Sequence, residues 1–348
     1  MKNLIFICSI LIILFKTGNV LSNNNIFNVN NIEIENVTPN SREIQVNKAF
    51  QKAFDQLINR LLLKKDYQKF KNLSFDQVKK LVSYYQIINT DTKNIEKKNF
   101  FVNVFFDRER VHNFFYSNNI LYSDIIDTEV IFFPLLNIEK KIFIYSQNYF
   151  YDNWNNQELD YLAQYTLPVE NIENIQKINL NKNNLYDLNV SDFFKEYKSE
   201  NVIFAIIEIR NDNSKIFLKT RIQGKKINKT LTLERKKEKN NEEFYKKIII
   251  SVNDLIIDLI KTQNLIDVRT PSFLNVKINL ENKNNLIEFD NRVKNIELID
   301  NFYVQELNKD YVLLKIKYLG KINKLINKLK DQQINLIMTE GQWHLNII

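Results

Sequence analysis

Glycine, cysteine and histidine are scarce in this chain of 348 residues. Glycine occurs four times, once in the N-terminal segment as Gly18, and never in a cluster. That excludes a phosphate-cradling loop, a dinucleotide-binding fingerprint and a nucleophile elbow, all of which need closely spaced glycines. The single Cys8 and the two histidines, His112 and His344, exclude the usual zinc sites and haem attachment. Several large classes of enzyme are therefore excluded before any element is predicted.

Few side chains remain that could act as catalytic residues. A Ser-His-Asp triad would need His112 or His344, and no surrounding motif pairs either ring with a nucleophile. Glu170 and Glu173 lie three apart, so on a helix they share a face. Such a pair could hold a hard cation or perform acid–base chemistry, or it could simply complement a helix dipole. No catalytic, metal-binding or cofactor-binding residue is predicted, and an envelope enzyme with carboxylate acid–base chemistry stays as the alternative function.

The charge balance is basic without indicating a nucleic-acid site. Lys and Arg number 49 against 41 Asp and Glu, a net charge of +8, and 40 of the 49 basic residues are Lys. Abundant Lys, Asn, Ile, Phe and Tyr with little Ala and Gly follow the codon bias of an AT-rich genome. The densest basic stretch, 225–247, is interrupted by four Glu residues. It is typical of a solvated hairpin and helix surface, so no nucleic-acid partner is expected.

The N-terminal segment has the features of an export signal. Lys2 precedes a run of 12 largely apolar residues, Leu4 to Phe15, which is too short to span a bilayer. Small residues favour cleavage between Ser22 and Asn23. We therefore expect a signal peptide at 1–22 and an exported mature protein. An uncleaved N-terminal anchor is the alternative, and membrane association is expected only in that case.

Patterns of apolar residues predict an α+β fold of several small α/β sandwich modules. The N-terminal domain, 23–125, has an early strand and an amphipathic helix that carries Ala49 and Ala53 and has Ser41 as its expected N-cap. Ser74 and Gln77 predict a capping box at the start of a second helix, and Asp107 is the expected N-cap of a third. The central domain, 126–268, has an antiparallel meander, whose first hairpin turns at Asn211-Asp212-Asn213, and a long helix at about 241–261. The C-terminal domain, 269–348, has the element order β-α-β-β-α-β, which predicts a ferredoxin-like module.

The stretch from Asn148 to Trp154 is the candidate interaction surface. Its aromatic residues do not alternate as a core strand would, and Asn and Asp flank them, as in interface anchors. The candidate side chains are Tyr149, Phe150, Tyr151 and Trp154. A loop folded back onto its own domain and a platform for stacking sugars are the alternatives.

Together these features resemble a bacterial family, the domain of unknown function numbered 2066. The features are the signal peptide, the strand before the Ala49/Ala53 helix, the Asn148–Trp154 stretch, the acidic motif from Leu167 to Glu173, and the C-terminal pattern with Gly320. The chain departs from the family where Glu170 and Asn171 replace Asp. The resemblance implies an exported protein of the periplasm or cell envelope of a Gram-negative bacterium, without an assigned activity. The predicted function is a non-catalytic binding or assembly factor whose partners are other envelope proteins.

Overall fold

A computed structural model describes residues 25–34, 42–89, 100–125, 127–156, 162–211, 213–235, 240–280 and 284–348. The predicted signal peptide at 1–22, with its cleavage site, lies outside the described residues, as does the predicted helix cap Ser41. Helices and strands both occur throughout the described ranges, which confirms the prediction of an α+β fold.

Nine α-helices lie in the described residues. They are α1 (Arg42–Leu61), α2 (Lys64–Tyr67), α3 (Phe75–Leu81), α4 (Arg108–Ser117), α5 (Tyr149–Asn153), α6 (Ile172–Leu180), α7 (Asn241–Gln263), α8 (Asn285–Val293) and α9 (Ile322–Asp331). Short 3-10 helices span Trp154–Asn156, Leu185–Asp187 and Val190–Phe194. Asp107 accepts a hydrogen bond from the Arg110 backbone amide at 3.0 Å, which confirms its predicted role as the N-cap of α4.

The strands form four sheets within the described residues. They are β1 (Asn28–Ile34), β2 (Val82–Asn89), β3 (Phe100–Phe106), β4 (Tyr122–Ser123), β5 (Thr128–Ile138), β6 (Lys141–Phe143), β7 (Ala163–Thr166), β8 (Asn201–Arg210), β9 (Asn213–Ile222), β10 (Lys225–Glu234), β11 (Leu265–Ile266), β12 (Ser272–Asn279), β13 (Ile299–Leu307), β14 (Tyr311–Tyr318), β15 (Ile334–Thr339) and β16 (Gln342–Ile347). The orders are β1-β3-β2, β10-β9-β8-β5-β6 with β7 also on β5, β11-β4, and β13-β14-β12-β16-β15.

Because glycine is scarce, residues of other types occupy the left-handed backbone conformation in many turns. Ten residues other than glycine have positive φ among the described residues, including Asn31, Asn119 and Asn211. Asn tolerates this left-handed region better than most residues because its short polar side chain can bond locally. The β9–β10 hairpin combines Gln223 at φ 47° with Gly224 at φ 77°, the signs that a type I′ turn requires.

Two compact units divide the chain. One comprises the described residues of 1–57, 72–118 and 270–348, and the other comprises 58–71 and 119–269. The first therefore groups residues from the predicted N-terminal and C-terminal domains, and the predicted three-domain boundaries stay a prediction. In its N-terminal part, Phe50 of α1 packs against Tyr85 of β2, with ring centroids 5.3 Å apart. Ala49 and Ala53 on the same helix are fully buried.

The second unit is built on the sheet that contains the predicted meander. Strands β8, β9 and β10 pair antiparallel in sequence order, as predicted, and β8 continues the sheet through a parallel pairing with β5. The long helix α7, at Asn241–Gln263, covers one face of this sheet with buried residues such as Phe244 and Ile256. The segment 178–194 covers part of the other face.

The C-terminal sheet of the first unit contains the predicted β-α-β-β-α-β order with one strand more. The last strand, β16, pairs parallel with β12, and β15 then pairs antiparallel with β16. A ferredoxin-like sheet is antiparallel throughout, so the ferredoxin-like prediction is not confirmed. Helices α8 and α9 lie on one face, where Phe289 contacts Phe302 at 5.2 Å between ring centroids and Leu325 and Leu329 are fully buried.

Candidate functional site

The predicted aromatic segment is a short helix held by a buried asparagine. The Asn148 side chain donates to the carbonyl oxygens of Pro134 and Ile144 at 2.9 and 2.8 Å. Its side-chain oxygen accepts from the backbone amides of Phe150 and Tyr151, which begins helix α5. One side chain therefore satisfies polar groups on both the β5–β6 hairpin and the helix, as burial requires.

Burial corrects the expectation that these aromatic residues are exposed. Phe150 and Trp154 are both 0% exposed, and Tyr149 and Tyr151 are half-buried. The Trp154 ring lies 3.9 Å from the Phe132 ring and 5.5 Å from the Tyr165 ring, centroid to centroid. The segment folds back onto its own unit because its rings find an apolar surface on β5 and β7. Phe150 and Trp154 are therefore core residues and are not surface anchors.

The acidic motif beside this segment does not form a carboxylate pair. Asn171 caps α6, so Glu170 precedes the helix while Glu173 lies in its first turn. Both side chains are exposed, and Glu173 is 4.0 Å from Lys177 in an ordinary ion pair one turn along. The alternative in which acidic residues complement the helix dipole fits this geometry.

Burial raises the pKa of nearby Tyr145, whose hydroxyl accepts a hydrogen bond from the Asn174 side-chain amide.

Neither histidine has the surroundings of a catalytic base. His112 lies on α4 with its ring edge against Phe27, centroids 5.5 Å apart. Burial, and to a smaller extent the charge of Arg108, lower the pKa of His112 from 6.5 to about 4 against the opposing effect of Asp300. His344 lies in β16, opposite Lys277 of β12. Across the described ranges, no group of three His, Cys, Asp or Glu side chains is placed to hold a metal ion.

One buried carboxylate lines a cavity in the second unit. Glu208 is 8% exposed and borders a cavity of about 270 Å³ together with Tyr186 and Arg210. The Arg210 guanidinium lies 3.2 Å from the Glu208 carboxylate. Burial and the hydrogen bond with Glu208 raise the pKa of Tyr186 to about 12. No second carboxylate lines the described wall of this cavity, so it presents an ion pair and not an acid–base pair.

The face of the C-terminal sheet opposite α8 and α9 is the surface that sequence reasoning missed. The alternation that buries Leu274, Val276 and Ile278 on β12 places Phe273 and Lys277 on the opposite face. Phe273 is 51% exposed there, and Tyr303 on the edge strand β13 is 48% exposed. We call this surface the open face. Its main residues are Phe273, Asn275, Lys277, Tyr303, Tyr311, Leu313, Lys315, Lys317 and His344.

Two lysines of the open face lie over aromatic rings. The Lys277 ammonium is 4.1 Å from the centre of the Tyr311 ring, and the Lys315 ammonium is 4.6 Å from the centre of the Phe273 ring. Lys317, by contrast, is in an ion pair with Asp300 at 2.7 Å. The rings hold both ammonium groups against the sheet, and neither group is in an ion pair with a described residue. The Glu306 carboxylate accepts a hydrogen bond from the Tyr311 hydroxyl at 2.6 Å at the edge of the same face. The open face therefore combines half-exposed aromatic surface with positive charge.

Comparisons with known proteins add no relative. No protein-family model matches the chain, no curated protein matches it, and no solved structure matches it. The resemblance to the domain of unknown function numbered 2066 is neither supported nor contradicted by them. Of the helices in the described part of the chain, none has the length and apolar character needed to cross a membrane.

Proposed function

We propose that this protein is an exported, non-catalytic binding factor of the bacterial cell envelope that captures a partner protein on the open face. Export is proposed from the apolar run Leu4 to Phe15 and the small residues before Asn23. Membership in the family of the domain of unknown function numbered 2066 is proposed from the same segment and the motifs around Ala53 and Leu167. We further propose that the C-terminal module is a variant of the ferredoxin-like unit in which β16 is inserted between β12 and β15.

The open face is the observation that carries the proposal. Aromatic and apolar side chains that stay half-exposed on a sheet face are typical of interaction sites, since a monomeric domain normally covers such surface. Phe273 and Tyr303 are the two large aromatic side chains of this face that are about half-exposed. Aromatic residues supply most of the binding free energy at interfaces, which makes Phe273 the expected anchor.

Charge complementarity indicates the chemistry of the partner. Lys277 and Lys315 contribute positive charge at the centre of the open face, and their contacts there are with rings and not with carboxylates. An acidic segment that also carries apolar side chains would pair with both lysines and cover Phe273. Electrostatic complementarity of this kind speeds association and fixes the register of binding. We therefore assign an acidic, partly apolar segment of another envelope protein as the occupant.

A peptide titration tests the proposal directly. The probe is a synthetic extended peptide in which Asp alternates with Leu and Tyr, and the control peptide has Lys in place of Asp. We expect the acidic peptide alone to bind. Phe273→Ala should weaken binding by about 2 kcal/mol, roughly 30-fold. Lys277→Gln and Lys315→Gln should each weaken it by about 0.2–1 kcal/mol and reduce its dependence on salt.

A matched control separates binding from folding. Ile287 is 61% exposed on α8, on the helix-covered side of the same sheet, so Ile287→Ala should leave both affinity and stability unchanged. The proposal fails if Phe273→Ala binds the acidic peptide as tightly as the unchanged protein does. It also fails if oligothymidine binds more tightly than the acidic peptide, because the open face would then be a stacking platform for single-stranded nucleic acid.

A further inference from the structure

A cavity of about 190 Å³ lies in the second unit, on the face of the central sheet opposite α7. Strands β9 and β10 contribute Lys219, Arg221 and Lys226 to its wall. The segment that contains the 3-10 helix Val190–Phe194 borders it on the other side with Ser191 and several apolar side chains. A single water needs only about 10–15 Å³ of such volume, so the cavity has room for a small ligand.

The cations of this cavity are arranged unfavourably in the absence of an anion. Arg221 and Lys226 are directly opposite each other on β9 and β10, and like charges at such positions repel. Lys219 lies beside them and donates to the Leu188 carbonyl at 2.9 Å. Three positive side chains therefore converge on one space, and none of the described residues that line it is a carboxylate.

Two acidic residues of the adjoining segment, Asp187 and Asp192, do not line the cavity. Asp192 is in an ion pair with Lys195 at 2.7 Å, outside the cavity wall. Asp187 is close enough to raise the pKa of Lys219, but burial has the larger effect and lowers it. Of the two lysines, Lys219 is partly buried and Lys226 is exposed, and partial burial of an ammonium group is unfavourable without a counter-charge. The arrangement is therefore that of a site completed by an anion from solution.

We propose that this cavity binds a phosphate group, free or as the ester of a small molecule. Arg221 and Lys226 would contact the phosphate oxygens, because guanidinium and ammonium groups donate strong charge-assisted hydrogen bonds to them. Ser191 and Asn228 add uncharged polar groups to the wall. The apolar side chains of Leu188 and Val190 would contact the organic part of an ester. This site is independent of the open face and of the function proposed for it.

Calorimetric titration of the full chain with inorganic phosphate, at constant ionic strength, tests the site. We expect one phosphate per chain. Arg221→Gln and Lys226→Gln should each weaken binding about tenfold or more, because each removes a charge-assisted hydrogen bond. Lys229→Gln is the matched control, since Lys229 is an exposed lysine of the same strand that points to the opposite face. Its affinity should equal that of the unchanged protein.

Two further arms identify the source of the phosphate. Binding of glycerol 3-phosphate without binding to phosphatidylglycerol vesicles assigns a soluble ester. Vesicle binding that Lys226→Gln abolishes and Lys229→Gln retains assigns a lipid headgroup. The proposal is overturned if neither inorganic phosphate nor either ester binds. It is equally overturned if Arg221→Gln and Lys226→Gln, shown by circular dichroism to be folded, bind phosphate as tightly as the Lys229→Gln control.

Discussion

Replacing Trp154 separates the two alternatives for the aromatic segment. The structure buries this side chain completely between the rings of Phe132 and Tyr165. Trp154→Ala removes an indole from a closed core and leaves a cavity, so the free energy of unfolding should fall by about 3–5 kcal/mol. If the residue were a surface anchor, the same change would leave stability almost unaltered.

A conservative substitution at the same position sharpens this test. The Trp154 indole nitrogen is buried without an acceptor among the described residues. A buried donor without a partner costs about 1–3 kcal/mol, and Trp154→Phe removes it while keeping the stacking on Phe132. The loss of packing and the removal of the unpaired donor should nearly cancel, within about 1 kcal/mol. Trp154→Phe should therefore be far more stable than Trp154→Ala.

Urea unfolding followed by circular dichroism measures both variants. The midpoint for Trp154→Ala should fall without a change in slope, because the surface exposed on unfolding stays similar. Trp343→Ala is the control, since this second tryptophan is only half-buried in β16 and should cost less. An unchanged midpoint for Trp154→Ala would refute the burial argument and restore the surface interpretation.

Three further perturbations test other parts of the structure. Ala53→Leu should lower stability by about 1–3 kcal/mol in a thermal melt, because the position is fully buried and a larger side chain overpacks it. Lys261→Met should cost about 2 kcal/mol or more in urea unfolding, since the buried ammonium donates to the carbonyls of Asn59 and Leu62 near the end of α1. Folding lowers the pKa of His112 from 6.5 to about 4, so the unfolded chain takes up a proton at a higher pH than the folded protein does. The free energy of unfolding is therefore at its full value above pH 6.5 and falls as the pH falls toward 4, by up to about 3 kcal/mol. His112→Gln should flatten that part of the melting temperature's pH dependence, and an equally steep profile would contradict it.

Local signals in the sequence predicted the elements well. The alternation of β8, β9 and β10 predicted the meander, and the asparagines at 211 and 213 predicted its first turn. Gln77 accepts a hydrogen bond from the Ser74 backbone amide, which confirms the predicted capping box at α3. These features depend on residues that are near each other in the chain, so residue type and the spacing of apolar residues are sufficient to find them.

Features that depend on distant contacts were not predictable in the same way. Helix α5 is one and a half turns long, too short for a period to show, and it forms because Asn148 reaches Pro134, 14 positions away. The parallel pairing of β16 with β12 joins Val276 to Trp343 and cannot be inferred from element order. The lysine–ring pairs of the open face likewise depend on the register between β12 and β14.

Site-specific photocrosslinking in the producing cells tests the proposed binding role most directly. A photoreactive residue at position 273, on the open face, should yield a discrete product with one envelope protein, attached through an acidic segment that mass spectrometry identifies. The same residue at position 287, on the exposed side of α8, should yield none. Reversing the charge of Lys277 and Lys315 to Glu should abolish the product at position 273. Equal products from both positions, or a product that survives the charge reversal, would contradict capture by the open face.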